Sequence, residues 1–554
     1  MTDDKTQKAH LSRRQTLMMM GAAGAAGLMG PAAIGRDQAF AANADANGQL
    51  ILAFSQEPTV FNPLMPHIEV DEGVYYAVFD PLFDFDPDGE YFPILVAEVP
   101  TVANGGISED GLNWRIKLKD GVTWHDGTPF TAEDVKFSLE LTMDPDFRSF
   151  RSTGYKFMQN ITVVSDTELT WEMSEPFAPM AAILASTYII PKHAFDGVED
   201  KNTAPFSNAP IGTGPFKFKE RMAGDHIELE ANADYHMDGP YLKTLIIKYV
   251  PDLNVMYTQV KSGDIDVIGL QYISPDHLAE AEKLPNKIVT VAGTATFESI
   301  GLNMTRPQFQ ELAVRQALYA ALDKTSIIDA LYYGVPTPTE TYMPQQSYYY
   351  EPDLPKHEFS LEKARKLLDD AGWVPGADGV REKDGVRLSF TNSTTAGNHL
   401  REQAQQFIQQ TFKEVGVEMI IKNLPPAVMW GDYWMNSGFD SVVVGLNALS
   451  GADPDTSDYF MSTMSPVLGG SGQNTFAYQN PKVDELLIKG AASFVPEERR
   501  EIYQELQRVI RDDLPFLPVF QYAVIKGRKD DVDGPAPNVN NRIETWNVRD
   551  WKRT

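Results

Sequence analysis

Ser108-Glu-Asp-Gly-Leu-Asn-Trp-Arg-Ile-Lys-Leu-Lys-Asp-Gly-Val-Thr-Trp-His-Asp-Gly-Thr-Pro-Phe-Thr-Ala-Glu-Asp-Val-Lys-Phe137 is the stretch whose reading decides the fold. Asn113 to Leu118 alternates polar and apolar with period two, the pattern of a half-buried strand. Asp120-Gly121 marks a turn, Val122 to His125 a second strand, and Asp126-Gly127 another turn. Thr131-Ala132-Glu133-Asp134 then caps a helix with Val135, Leu139 and Leu141 inward. Strand, turn, strand and capped helix within thirty residues place this segment in an α/β region.

The same alternation of strands and helices extends in both directions. Gln49 to Phe54 is an apolar strand running into the turn-rich loop Glu57-Pro58-Thr59-Val60-Phe61-Asn62-Pro63, followed by a helix-like stretch from Gly73 to Phe79. Leu82 to Ile94 reads as a hairpin. Its Asp84-x-Asp86-x-Asp88-Gly89 begins like a calcium loop, but Leu95 stands where that loop needs a bidentate glutamate, so the segment is a turn. Thr244–Val250, Leu253–Ser262 and Asp264–Ile268 give strand, helix and strand, the signature of a mixed sheet with crossover helices. A second α/β region starts near Lys287, with helices over 312–322, 361–371 and 399–415 and strands over 386–391, 419–424 and 439–446. Helix 496–514 and strand 516–525 close the chain. At 554 residues the protein exceeds one hydrophobic core, which stops growing at about 250–300 residues.

The composition excludes several functions. There is no cysteine, hence no disulfide scaffold, thiol nucleophile or Cys-based zinc site. A formal charge of −29 opposes nucleic acid and anionic lipid. No P-loop, GxSxG elbow or HExxH occurs, and no His pair has metal-ligand spacing. His125 reads as a structural histidine bonding its turn. No catalytic residue, metal or cofactor is therefore expected.

Residues 1–42 read as an export signal. Arg13-Arg14 lies in a polar n-region, the weakly apolar, Gly/Ala-rich run Leu17–Ile34 follows, and Phe40-Ala41-Ala42 offers a cleavage site. The arginine pair marks the twin-arginine route, and cleavage leaves a periplasmic protein.

The block 108–137 is similar to the signature of extracellular solute-binding family 5, the dipeptide, oligopeptide and nickel-binding-protein group of ABC importers. Gly212-Thr-Gly-Pro-Phe216, Val314-Arg-Gln-Ala-Leu-Tyr-Ala-Ala-Leu-Asp323, Ala364–Trp373, Asn480-Pro-Lys-Val-Asp484 and Leu514-Pro-Phe-Leu-Pro518 resemble further blocks of that family. The resemblance implies a two-lobed α/β periplasmic binding protein fold (type II, cluster C) with an extra subdomain inserted in lobe 1. The implied divisions are lobe 1 over 43–89, 206–285 and 506–554, the inserted subdomain over 90–205, and lobe 2 over 286–505. It also implies a monomer that closes on a small-molecule ligand and presents it to the membrane subunits of an ABC importer.

For the ligand, the resemblance points to Gln56 and Glu57 on the loop after the first strand, Tyr75 on the next helix, Asn392 after a lobe 2 strand, and Trp430. Aligning Asp453-Pro454-Asp455 on the family's Asp-Pro-Asp sets Ser450 where peptide binders carry the acid that meets the ligand amine, and Asn447 where they carry a Trp. Asn and Ser suit hydroxyls or amides better than an ammonium. Two ligand classes therefore stand side by side: a peptide held through Asp453 or Glu57, and an oligosaccharide, opine-like conjugate or modified peptide.

Overall fold

The computed structural model describes residues 48–150, 154–269, 273–449, 451–541 and 543–554. The export signal expected at 1–42 and Ser450 lie outside them. Gln49–Phe54 lies between two parallel neighbours, Thr244–Tyr249 and Val267–Ile268. A strand covered on both faces needs apolar residues at every position. Accordingly Leu50, Leu52 and Phe54 enter one core while Ala53 enters another, with Met256, Val260 and Ile268. The hairpin Phe216–Met222 and His226–Ala231 extends this sheet antiparallel to Thr244–Tyr249. The second region builds its own parallel set, with Ser389–Ser393 between Glu418–Ile421 and Ser441–Leu446. Val443 faces one core there, and Val442 and Val444 face the other.

Two long strands join these halves into one mixed sheet of 11 strands. Lys287–Leu302 runs antiparallel to Phe516–Lys529. On the first-lobe side, residues 287–293 pair with 523–529; on the second-lobe side, 297–301 pair with 516–521. Between the two ladders Thr294, Ala295 and Thr296 face the single residue Tyr522, a bulge where the ladder is interrupted.

This packing moves the expected divisions. The helix Pro496–Asp513 puts Tyr503, Leu506 and Ile510 into the second-lobe core, and Leu517 and Val519 follow it there. The return to the first lobe thus falls at Gln521–Tyr522 rather than near residue 505, because both passages lie inside paired strands. The inserted subdomain has its own core from Leu82 to Ile189 around the sheet Asn113–Lys117, Glu168–Met173 and Met158–Ser165, with Trp114 stacked on Trp171. Ile190, Phe195, Ala204 and Phe206 belong instead to the first-lobe core, so the subdomain is shorter than 90–205. Two expected strands shrink. Val122–His125 keeps only the bridge of Thr123 to Pro129, and Asp264–Ile268 keeps Val267–Ile268.

The deciding stretch otherwise folds as read. Asn113–Lys117 alternates exposed and buried residues, and Ala132–Met143 is a helix whose Asp134 carboxylate accepts from the Thr131 amide at 2.9 Å. His125 bonds a distant loop rather than its own turn. Its Nδ1 accepts from the Gly212 amide (3.2 Å) and its Nε2 donates to the Gly214 carbonyl (3.0 Å), tying the subdomain to lobe 1. Gly212 is there because a Cβ would lie 1.7 Å from the Val78 carbonyl oxygen. Gly212→Ala should therefore lower stability by more than about 2 kcal/mol in urea unfolding.

Burial pushes His125 down to about 4, so the folded protein keeps it neutral. Between pH 4 and 6.5 the unfolded chain binds a proton that the folded one refuses. This contribution is therefore complete above pH 6.5 and is lost as the pH falls toward 4. The stability advantage of the natural protein over His125→Gln, measured by urea titration, should shrink by about 1–3 kcal/mol between pH 7 and pH 4. His357, which burial also pushes down to about 4, contributes equally to both proteins and cancels in that difference.

Candidate functional site

Parallel sheets place their ligands beyond the carboxyl ends of the strands. In the first lobe this edge carries the loop after Phe54; in the second it carries the loops after Ser393, Ile421 and Leu446. Between the lobes lies a cavity of about 330 Å³. One wall is the helix Glu69–Val78, whose Glu69, Glu72 and Tyr76 face the space while Val70, Val74 and Ala77 enter the core. Asn447, Leu449 and Gly451 form the opposite wall, and Asn540 and Asn541 close one end. Tyr188, Phe85 and Phe150 complete the described aromatic surface.

The polar groups around this cavity are held in place. Glu72 pairs with the His67 Nε2 at 3.2 Å, and the His67 Nδ1 bonds the Met65 carbonyl oxygen at 2.8 Å. Tyr76 accepts a hydrogen bond from the Asn541 amide. Burial first, and then Asp84 and Glu72, push the Tyr76 phenol well above its usual range, so it stays protonated. The cavity thus offers amides, phenols and a carboxylate–imidazole pair, a surface suited to hydrogen-bonding a polar solute.

The expected residues divide sharply. Asn447 lines the cavity, with its Oδ1 accepting from the Leu449 amide at 3.2 Å. Gln56 is exposed on the loop after the first strand, and Trp430 is 42% exposed beside Trp434 at the carboxyl edge of lobe 2. The remaining four described residues are engaged by other groups of the protein, Glu57 at the surface and the other three buried. Glu57 accepts from the Gly224 amide (3.0 Å) and from Arg221 (2.6 and 3.0 Å); the Gly224 amide first, and Arg221 with it, hold its carboxyl below the usual range against the opposing effect of burial. Tyr75 is fully buried, its hydroxyl donating to the Val60 carbonyl. Asn392 is fully buried between Ser441 and Gln405.

Asp453 forms a bidentate pair with Arg499 at 2.8 and 2.9 Å, buried on both sides. Asp453 thus fastens residues 451–457 onto the helix Pro496–Asp513. Asp455 reinforces that junction, accepting from the Ser457 hydroxyl (2.6 Å) and the Tyr503 hydroxyl (3.3 Å).

Sequence reading missed the wall formed by Glu72 and Tyr76. The signal was available in the helical period: positions 69, 72 and 76 share one face and 70, 74 and 77 the other. Asn540 and Asn541 carried no such signal, since their place depends on a return of the chain from far away.

The lobes also touch directly. A Cβ on Gly451 would come within 2.5 Å of the Phe85 ring, and Ala452 packs with the subdomain core. Ala178 in the subdomain donates its amide to the Ala491 carbonyl at 2.7 Å.

Residues 97–467 match the description of bacterial extracellular solute-binding proteins, family 5 (middle). The chain belongs to this family. The oligopeptide-binding protein AppA of Bacillus subtilis is 29% identical over 487 residues, 85% of each chain. Its structure in complex with a nonapeptide superimposes with a TM-score of 0.75, covering 91% of this chain and 99% of that one at 28% identity. NikZ of Campylobacter jejuni, in complex with Ni(L-His), gives a TM-score of 0.78 at 27% identity, covering 92% and 100%. As a family 5 member the protein has the two-lobed fold, and its family consists of solute-binding proteins. Among the described residues no helix is long and apolar enough to cross a membrane, and no group of three His, Cys, Asp or Glu is set to hold a metal ion.

Arg499→Met would strand the Asp453 carboxylate and should cost about 3–5 kcal/mol of stability. Asp453→Leu with Arg499→Met together should recover part of that loss in urea unfolding. A full-stability Asp453→Asn that loses ligand binding would show instead that this acid serves the ligand.

Proposed function

We propose that this protein captures a peptide or peptide-sized solute between its lobes and delivers it to an ABC importer, performing no chemistry itself. The observation that carries the proposal is the polar cavity walled by both lobes, which are joined by two paired strands with an interrupted ladder. A ligand filling that space touches both walls, so its binding favours the closed arrangement, and closure is what the importer reads. In this reading Asn447 contacts the ligand, and Gln56 and Trp430 sit at the rims that close over it. Glu57, Tyr75, Asn392 and Asp453 shape the walls. The same reading has residues 1–42 direct export by the twin-arginine route and leave a monomer in the periplasm after cleavage.

A second reading rests on one observation. Asp453 and Glu57, the two acids proposed to hold a peptide amine, are bound to arginines, while Asn447, Asn540, Asn541 and Ser186 line the cavity. Amides and a hydroxyl match an oligosaccharide or an opine-like conjugate. Mass spectrometry of solute released from the denatured protein separates the two: peptide fragments support the first reading and a carbohydrate or conjugate the second.

Closure itself is testable at the interlobe contact. Gly451→Ala sets a Cβ against Phe85 at a backbone φ of +59° and should hold the lobes apart. Its solution scattering radius should stay at the open value when the natural protein contracts with the released solute, and its affinity should fall about tenfold or more. A variant that contracts with the released solute as the natural protein does, at unaltered affinity, would refute closure at this contact.

A further inference from the structure

Phe494 stands in the turn between the second-lobe helices Pro481–Ala492 and Pro496–Asp513, but its packing does not follow its place in the chain. Those helices put Val483, Leu487, Tyr503 and Leu506 into the second-lobe core. Phe494 instead packs against the core of the inserted subdomain. Its ring lies edge-on to Trp114 at 6.2 Å, and Trp114 is stacked on Trp171. Gly111 opens the socket: a Cβ there would come within 2.3 Å of the Phe494 ring. The Gly111 amide donates to the Ser108 carbonyl at 2.8 Å, and its own carbonyl accepts from the Trp114 indole at 3.3 Å. Both bonds are internal to the subdomain, so the socket keeps its shape whether or not Phe494 fills it.

A second contact lies three residues earlier in the chain. Ala491 is in the last turn of its helix, where carbonyl oxygens have no donor within the helix. Its carbonyl takes the amide of Ala178 in the subdomain at 2.7 Å. With the two bodies apart, water replaces that bond at little cost, whereas Phe494 would stand in solvent beside Val495, itself 52% exposed. Gly111, Trp114, Ala178, Ala491 and Phe494 all lie off the lining of the interlobe cavity. We infer that Phe494 is a closing latch, an aromatic side chain of the second lobe that docks in the Gly111–Trp114 socket of the inserted subdomain and holds the closed arrangement without touching the solute. The inserted subdomain thereby takes part in closure. Because the latch favours the closed arrangement with or without solute, it sets how long a captured solute is held. The inference rests on capture by closure of the lobes.

The chain has no cysteine, so a pair of introduced thiols reports on this contact alone. Ala178→Cys with Ala491→Cys sets them at the interlobe hydrogen bond, where α-carbons about 5.5 Å apart suit a disulfide. A flexible bis-maleimide serves if the disulfide geometry is not met. In protein freed of solute by unfolding and refolding, the cross-linking rate follows the closed fraction. Adding Phe494→Ala should slow cross-linking about tenfold, the loss expected from one partly buried aromatic side chain, with Phe494→Leu in between. The cross-linked protein should have a smaller solution scattering radius than uncross-linked Phe494→Ala. Cross-linking by neither chemistry, or at a rate that Phe494→Ala leaves unchanged, overturns the latch and leaves capture by closure standing. A cross-link that forms while the two radii are equal shows the bodies fixed against each other, and then latch and closure fall together.

Discussion

The antiparallel pairing of Lys287–Leu302 with Phe516–Lys529 is the constraint on which the rest of the molecule depends. Every ladder bond satisfies backbone groups that would otherwise be buried unpaired, so the two strands keep both lobes in one sheet at fixed register. Where Thr294 to Thr296 oppose Tyr522 the ladder is interrupted, and bending there costs least. The second-lobe side of this point is pinned. Glu298 pairs with Arg401 at 2.7 and 2.9 Å and accepts from the Tyr522 hydroxyl at 2.8 Å. A ladder interrupted between the lobes, with a second bulge at Val519 inside its second-lobe half, lets two rigid bodies move relative to each other without melting either.

Buried ion pairs decide what the cleft presents. Asp453 with Arg499 and Glu298 with Arg401 each consume a carboxylate near the interlobe space. A buried carboxylate stripped of its partner would be costly, and these arginines neutralise each acid by fork geometry. The first pair holds residues 451–457 against helix 496–513, and Asn447 and Leu449 line the cavity. Charge in the second lobe therefore serves the shape of the wall, and the described cavity surface there is left to amide, apolar side chain and glycine. This separates two roles that a linear alignment merges, the acid that binds and the acid that positions.

How much was legible in the chain follows the range of the interaction. Helices Leu253–Ser262, Leu361–Asp370 and His399–Glu414 were read within a residue of their ends, because period and caps are local. The family signature over 108–137 was equally local, and the fold class and the two-lobed architecture follow from it. The candidate site depends on longer-range contacts. Tyr75 was chosen where Tyr76 faces the cavity, a single step on a helix that rotates the side chain by about 100° into the core. Asp453, expected to meet the ligand, pairs with Arg499 46 positions away, a partner that a loop motif does not show.

By itself the sequence determined the fold class, the elements and the solute-binding family, since each rests on residue patterns that repeat within a few turns or on a long ordered signature. Only the tertiary structure decided where the lobes divide, which carboxylates are already spoken for and which asparagines close the cavity. The physical reason is that these depend on pairings between residues tens to hundreds of positions apart, such as Tyr76 with Asn541 and Lys287 with Lys529. A partner that remote leaves no mark on the local pattern of either residue.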